Sequence, residues 1–275
     1  MSAGNPGFNF NQAGFAGHYD RYFVPRFFNQ WAELLLSRVG VAIGDHVLDV
    51  ATGPGTLARI AAQRVGPKGR VVGTDLSPAM LEIARAKPAV EGAKIEYVQS
   101  AASPLAALDT SYDVVVCQQG LQFFPDRRGA IEEMARTMKR GGWMGLAVWT
   151  TIERNTLFNA MREGLLAAGL KELGERANTP FSWHAPDELR VMMHEVGLKE
   201  IVLETWSLPT VWEEGPEQVV AAVSAMPIAN DISALAPDAK RRFEQEVRAQ
   251  LKPFVDTRGA VRATMVSTVA VGRKP

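Results

Sequence analysis

The chain has 275 residues, with 30 Lys plus Arg against 30 Asp plus Glu, so its formal net charge is zero. That balance, with no run of four basic residues, argues against a surface that binds nucleic acid by neutralising phosphates. An apolar fraction of 47% excludes disorder over the whole chain and suffices for one large domain, or a domain with a subdomain.

The only cysteine, Cys117, allows no intramolecular disulfide and no cysteine-based zinc site. Set in Val114-Val115-Val116-Cys117, it reads as a buried strand residue rather than a nucleophile. The first 15 residues, MSAGNPGFNFNQAGF, hold no basic residue and no apolar block, so no signal peptide is expected. Nothing approaches the ~20 apolar residues of a membrane span. A cytoplasmic protein with no membrane partner is the expectation.

Residues 1–17, rich in Gly, Asn and Phe, read as an arm that orders on a partner or ligand. From His18 to Val39 the apolar residues fall at helical spacing, among them Phe27, Phe28, Trp31 and Leu35. Strand and helix signals then alternate. Strands are predicted at 46–50, 70–74, 94–98, 112–117 and 143–149, and helices at 57–65, from Pro78, and at 126–139. Ser77 is an N-cap residue with Pro78 at the first helical position. Such alternation predicts βαβ units and a parallel sheet covered on both faces. Beyond residue 150 helices are expected at 156–173, 185–195, 216–225 and 237–251, and strands at 201–208 and 263–272. The helices near 151–190 and 209–260 break the alternation and are placed above the sheet as a cap. The organisation expected is therefore residues 1–40 as arm and lid helices and 41–150 as the ligand-binding core. Residues 151–275 form cap insertions with the last two strands of the same domain.

Val47-Leu48-Asp49-Val50-Ala51-Thr52-Gly53-Pro54-Gly55-Thr56-Leu57-Ala58 is a strand that ends in glycines and turns into a helix. There backbone approaches a ligand closely and helix-start amides face it, at the carboxyl ends of the strands where open α/β sheets bind ligands. Gly53–Ala58 also satisfies the dinucleotide fingerprint G-x-G-x-x-G/A. Asp49, four residues before the first glycine, gives a pyrophosphate nothing but suits a ligand with an ammonium or sulfonium charge. A second acid, Asp75, ends the next strand and is placed to accept two ribose hydroxyls.

With VVGTDLSPAMLEIAR, YDVVVCQQGLQFFPD and MKRGGWMGLAVW, in that order, the chain resembles class I S-adenosylmethionine-dependent methyltransferases over residues 15–150. The kin suggested are the small-molecule ubiquinone/menaquinone-biosynthesis type. The resemblance implies a Rossmann-like α/β fold with a seven-stranded sheet, mostly parallel, an antiparallel last strand, helices on both faces and a helical cap. It implies S-adenosyl-L-methionine as cofactor, with S-adenosyl-L-homocysteine as product. Asp49, Thr52, Gly53 and Gly55 would line its methionine half, Asp75 hold the ribose, Leu76 and Met80 pack the adenine, and Gln118 lie beside the methionine portion. Tyr19 and Tyr22, in HYDRY, match a tyrosine-bearing helix that closes over the cofactor. Two departures stand out. Ala101 occupies the position of the usual adenine-binding acid, leaving backbone at Ala101 and Ala102, and Gln122 stands where many relatives carry a histidine.

Methyl transfer from a sulfonium is an in-line displacement that positioning and desolvation accelerate, and a base is needed mainly for a hydroxyl or carbon acceptor. Gln122 takes no proton at neutral pH, which leaves His18, Tyr22 and His184 as catalytic candidates; His46 and His194 read as structural. Phe15, Gln122, Phe123, Trp149 and Trp183 are the candidate acceptor contacts, with Met192 and Met193 adding adaptable surface. They favour a small hydrophobic or aromatic acceptor. Lys240-Arg241-Arg242 reads as a solvated helix face, and a homodimer through the cap is the assembly considered. Two other readings compete: a protein or enzyme that holds the cofactor without transferring methyl, and an NAD-dependent oxidoreductase.

Overall fold

A computed structural model describes residues 14–275. Residues 1–13 of the expected arm lie outside the described residues. The rest of that arm is helical: Gly14, at φ 76°, starts α1 (Phe15–Tyr22), and Phe15 is buried with Ala16 against Met80. The single helix expected from His18 to Val39 is three pieces. A π-helical turn, Val24–Phe28, separates α1 from α2 (Asn29–Arg38). Pro25 sits in that turn without an N–H to donate, which helical apolar spacing does not register.

The sheet has seven strands in the order β3-β2-β1-β4-β5-β7-β6. They are β1 (His46–Val50), β2 (Arg70–Asp75), β3 (Ile95–Gln99), β4 (Tyr112–Gln118), β5 (Met138–Trp149), β6 (Lys199–Trp212) and β7 (Val261–Arg273). The first five run parallel, while β7 lies antiparallel between β5 and β6. Side chains alternate across the sheet as the pleat requires. Val47, Val114 and Val116 face α2 and α3 (Thr56–Val65), whereas Leu48, Val50, Val115 and Cys117 face α5 (Arg127–Thr137). α4 (Pro78–Ala86) opens as expected, with the Ser77 hydroxyl accepting from Met80 N at 3.3 Å.

The expected helix at 156–173 breaks at Gly169, φ 83°, into α6 (Thr156–Ala167) and α7 (Lys171–Ala177). α8 (Pro186–Glu195) lies on the α5 face of the sheet, so Met192 and Met193 are core there rather than surface near a ligand. The cap comprises α6, α7, α9 (Pro216–Ala221), α10 (Ala229–Ser233) and α11 (Pro237–Leu251). α6 and α11 cross where Gly164 meets Val247; a Cβ on Gly164 would lie 2.6 Å from the valine side chain. β6 and β7 are longer than expected because their outer ends pair with each other alone, Leu208 with Met265 and Trp212 with Val261. No helix among the described residues is long and apolar enough to cross a membrane.

Candidate functional site

β1 ends in the centre of the sheet, and the chain turns through Ala51, Gly53 and Gly55, all at positive φ, into α3. Gly55 supplies α3 with no capping side chain. Asp49 does so from the strand: its Oδ2 accepts from Thr52 Oγ1 at 2.6 Å and from Ala58 N at 3.1 Å. Gly55 is required twice over, by its φ of 77° and because a Cβ would lie 2.3 Å from the Tyr97 hydroxyl. Asp75, at the end of β2, accepts from Gly53 N and from Ser77 N, each at 2.8 Å, and so fixes the loop against the next turn.

Both carboxyls are electrostatically costly. Burial pushes Asp49 up to about 7 against the pull of its two donors, and Asp75 lies close enough to raise it further. Burial likewise raises Asp75, opposed by backbone N–H groups of Ser77, Gly53 and Leu76. A desolvated carboxylate pair with no ion-pair partner among the described residues is a setting that a cationic ligand relieves.

Beside the loop is a cleft of about 320 Å³ lined by Tyr19, Phe28, Asp49, Thr52, Gly53 and Gln118, with Ala51, Pro54, Thr56 and Leu57. Five of the residues singled out in the sequence thus meet, and Gly55 and Asp75 adjoin them. Leu76, Ala101 and Ala102 lie past the lining, just beyond the ends of β2 and β3, and Met80 in the first turn of α4. Leu76 is 61% exposed, an apolar side chain left open at the cleft's edge, while Met80 is buried under Phe15. Tyr19 closes the cleft from α1, stacked on Phe28 with ring centroids 4.9 Å apart. Burial, with Asp75 and Asp20 nearby, holds its phenol well above the usual value. The Gln118 amide is oriented by Nε2 donating to the Phe28 carbonyl at 3.0 Å, which leaves its buried Oε1 without a partner.

On the far side of Tyr19 and Phe28 lies a second, larger cavity of about 580 Å³, its solvent-open mouth included. Its walls are aromatic: Phe15, Phe23 and Phe27 from the lid, Phe123 and Trp149 from the strand ends, and Phe158 and Phe181 from the cap. Gln119, Arg176 and Met226 line it as well. Three expected acceptor contacts, Phe15, Phe123 and Trp149, are here. Two are not. Gln122 is 1% exposed with neither amide atom paired, and Trp183 lies under Arg127, 4.8 Å from its guanidinium carbon. The remaining walls were missed because cap residues far apart in sequence meet only in the fold, although Phe23, Phe27 and Phe28 beside HYDRY were a signal.

None of the catalytic candidates lines either cavity. His18 Nδ1 lies 2.5 Å from Ser224 Oγ, joining lid to cap. Tyr22 packs beside Arg21 and His18. His184 contacts Thr268 Oγ1 at 3.4 Å, and burial with Arg154 nearby keeps its imidazole below the usual range. Burial pushes the Cys117 thiol up to about 12, so it stays protonated. Among the described residues no cluster of His, Cys, Asp or Glu is placed to hold a metal ion. The arrangement therefore offers shape, desolvation and fixed dipoles, with the Asp49 carboxyl as the cleft group that titrates near neutrality.

Residues 47–142 match the family described as a methyltransferase domain. The chain is 38% identical over 114 residues to a ubiquinone/menaquinone biosynthesis C-methyltransferase of Francisella philomiragia, covering 41% of this chain and 46% of that one. It is 33% identical over 117 residues to an uncharacterized protein of Mycobacterium tuberculosis, covering 42% of each. The aligned region thus spans less than half the length of these relatives. Among solved structures it is similar to phosphoethanolamine N-methyltransferase 2 of Haemonchus contortus in complex with S-adenosyl-L-methionine. The TM-score is 0.59 at 18% identity, over 97% of this chain and 59% of that one. A Bacillus subtilis protein, YcgJ, gives 0.57 at 17% identity over 89% and 98%. At these identities the structural likeness is one of fold.

Proposed function

We propose that the chain, whose residues 47–142 match a methyltransferase domain, is a class I S-adenosylmethionine-dependent methyltransferase that methylates a small, apolar or aromatic acceptor held in the cavity beside the cofactor cleft. The observation that carries this reading is the shared wall. Tyr19 and Phe28 line both cavities, so a ligand in the glycine-loop cleft and one among the aromatic rings are neighbours.

The residues fit the cofactor. The cleft holds the desolvated Asp49 carboxyl and the Gln118 oxygen, which has no partner among the described residues, and beyond its lining stand the desolvated Asp75 and an exposed Leu76. That set matches a sulfonium with an ammonium group, a ribose and an adenine face. In this reading Asp49, Thr52, Gly53, Gly55 and Gln118 surround the methionine portion and Asp75 accepts from the ribose. Leu76, Met80 and the backbone at Ala101 and Ala102 flank the adenine. When bound, S-adenosylmethionine supplies a methyl group activated by the positive sulfur. Tyr19 and Phe28 exclude water from the line between the two cavities and orient the acceptor, as expected of catalysis by positioning.

Calorimetric titration with S-adenosylmethionine, S-adenosylhomocysteine and NAD, on wild type and Asp75→Ala, tests the proposal. Binding of the two adenosyl ligands, weakened at least ~10-fold in the variant, is expected; one lost charge-assisted hydrogen bond of ~1.5–3 kcal/mol is enough for that. Binding of NAD alone sinks it.

A further inference from the structure

We propose that Gln119 is the polar reader of the acceptor cavity: its side-chain oxygen accepts a hydrogen bond from a hydroxyl or N–H group on an otherwise apolar acceptor. This rests on the methyltransferase reading and adds to it the substrate class. An apolar body alone does not suffice; it must carry one neutral donor.

Gln119 follows β4 at φ 55°, a left-handed conformation uncommon for a residue with a side chain. Strain of this kind persists where the surroundings over-determine it, and here they do. Gln119 N donates to the Ala147 carbonyl at 2.8 Å, holding the residue beside β5. Its side chain, only 5% exposed, lines the aromatic cavity. The amide cannot be turned over. Ser267 Oγ donates to the Val148 carbonyl at 2.6 Å, so towards Gln119 it is an acceptor, and Gln119 Nε2 must be the atom that approaches it at 3.1 Å. Nε2 is spent, and Oε1 is left.

Among the described residues, Oε1 is the one buried side-chain oxygen of this lining without a hydrogen-bond partner. Buried polar atoms in folded proteins are nearly always paired, and an unpaired acceptor buried in the wall of a ligand cavity, on a residue of its lining whose nitrogen is already spent, is the arrangement that discriminates for a donor. The other polar groups of the lining do not compete. Arg176 is donor only and is held by Asp231 at 2.9 Å, and the Tyr19 hydroxyl belongs to the wall shared with the cofactor cleft. Gln119 takes no proton, so its part is to position the acceptor, and the group it grips need not be the atom methylated.

The test uses full-length protein loaded with S-adenosylhomocysteine and two probes of like shape, 1-naphthol and 1-methoxynaphthalene. Wild type is expected to bind 1-naphthol at least ~10-fold tighter, the scale of one discriminating hydrogen bond. Gln119→Met, close in size but without an acceptor, is expected to abolish the preference while leaving S-adenosylhomocysteine affinity unchanged. Ser267→Ala, which frees the amide, is expected to reduce it. Equal affinities in wild type, binding of neither probe, or a preference that survives Gln119→Met overturns the assignment. If Gln119→Met does not fold, the wild-type and Ser267→Ala comparisons decide. Failure of the probes with S-adenosylhomocysteine still bound overturns only the role of Gln119; absence of S-adenosylhomocysteine binding overturns the proposed function itself.

Discussion

Asp49 concentrates the conflict between stability and function. It is 1% exposed, its ionised form is disfavoured by burial, and both protein donors it accepts reach the same oxygen, Oδ2. Its folded-state value of about 7 lies above the ordinary value of 3.8. The folded protein therefore binds more protons than the unfolded chain between those limits, and this group's contribution to stability falls as pH rises from about 4 to about 7. A cation in the cleft favours the ionised form. Cofactor affinity should therefore rise with pH from 6 to 8, and binding near pH 7 should release a proton, read as a binding enthalpy that changes with the ionisation heat of the buffer. Affinity flat across that range would show that Asp49 does not answer the ligand charge. Asp49→Asn keeps one oxygen for Thr52 and Ala58 and removes the charge. At pH 8 it should raise Tm by about 2–4 °C for each ~1 kcal/mol recovered in a chain of this size, while weakening S-adenosylmethionine binding at least ~10-fold. A Tm that falls, with affinity unchanged, would contradict both halves of the argument.

The elements differ in how plainly the sequence announces them. β1, β4 and α11 begin and end within a residue of their expected limits. Short apolar runs bounded by glycine, and an amphipathic stretch opened by proline, leave few alternatives. The glycine loop and its two acids stand where the sequence set them for the same reason: Asp49 lies within β1, Gly53 and Gly55 follow it, and Asp75 ends β2. The π turn at Val24–Phe28 was not, because its proline and phenylalanines satisfy helical spacing while changing the hydrogen-bond ladder. That turn matters, since it presents Phe27 and Phe28 to one another and to Trp149, and gives Gln118 a carbonyl to hold. The lid helix α1 is tied down at two points, Lys87 to Asp20 at 2.5 Å and His18 to Ser224 at the cap. The side chains of the Lys87–Asp20 pair are 20% and 28% exposed, and an ion pair that solvent still reaches adds about 0–1 kcal/mol, so Asp20→Asn should leave Tm nearly unchanged. It should nevertheless loosen Tyr19 over the cleft, weakening S-adenosylhomocysteine binding about 2–5-fold and raising amide exchange across residues 15–22. Loss of Tm without loss of affinity would make the contact a fold element rather than a lid latch.

At the scale of the molecule, the sheet builds one half of the proposed site and the helices beyond residue 150 contribute to the other. The cofactor cleft is made by the ends of β1 and β4 with Tyr19 and Phe28 above it, all within the first 118 residues. The aromatic cavity needs Phe158, Phe181 and Met226, which come from the part of the chain beyond the matched methyltransferase domain. This division explains why the glycine-loop cleft could be read from motifs while only Phe15, Phe123 and Trp149 of the aromatic cavity were. Phe158 meets Phe23 and Phe27 at ring distances of 5.6 and 6.0 Å, contacts between residues more than 130 positions apart that no local pattern encodes. It also makes the two affinities separable. Phe158 lines the aromatic cavity and not the cofactor cleft. Phe158→Leu keeps an apolar side chain and costs on the order of 1 kcal/mol in stability, but it removes a ring from the cavity wall. It should weaken 1-naphthol several-fold, by roughly the 0.5–1.5 kcal/mol that an aromatic pair is worth beyond its area, with S-adenosylhomocysteine affinity unchanged. Asp75→Ala should do the reverse, costing the adenosyl ligand and sparing the naphthol in cofactor-free protein. If Phe158→Leu moves both affinities together, the cavities are one site and the shared wall of Tyr19 and Phe28 does not divide them.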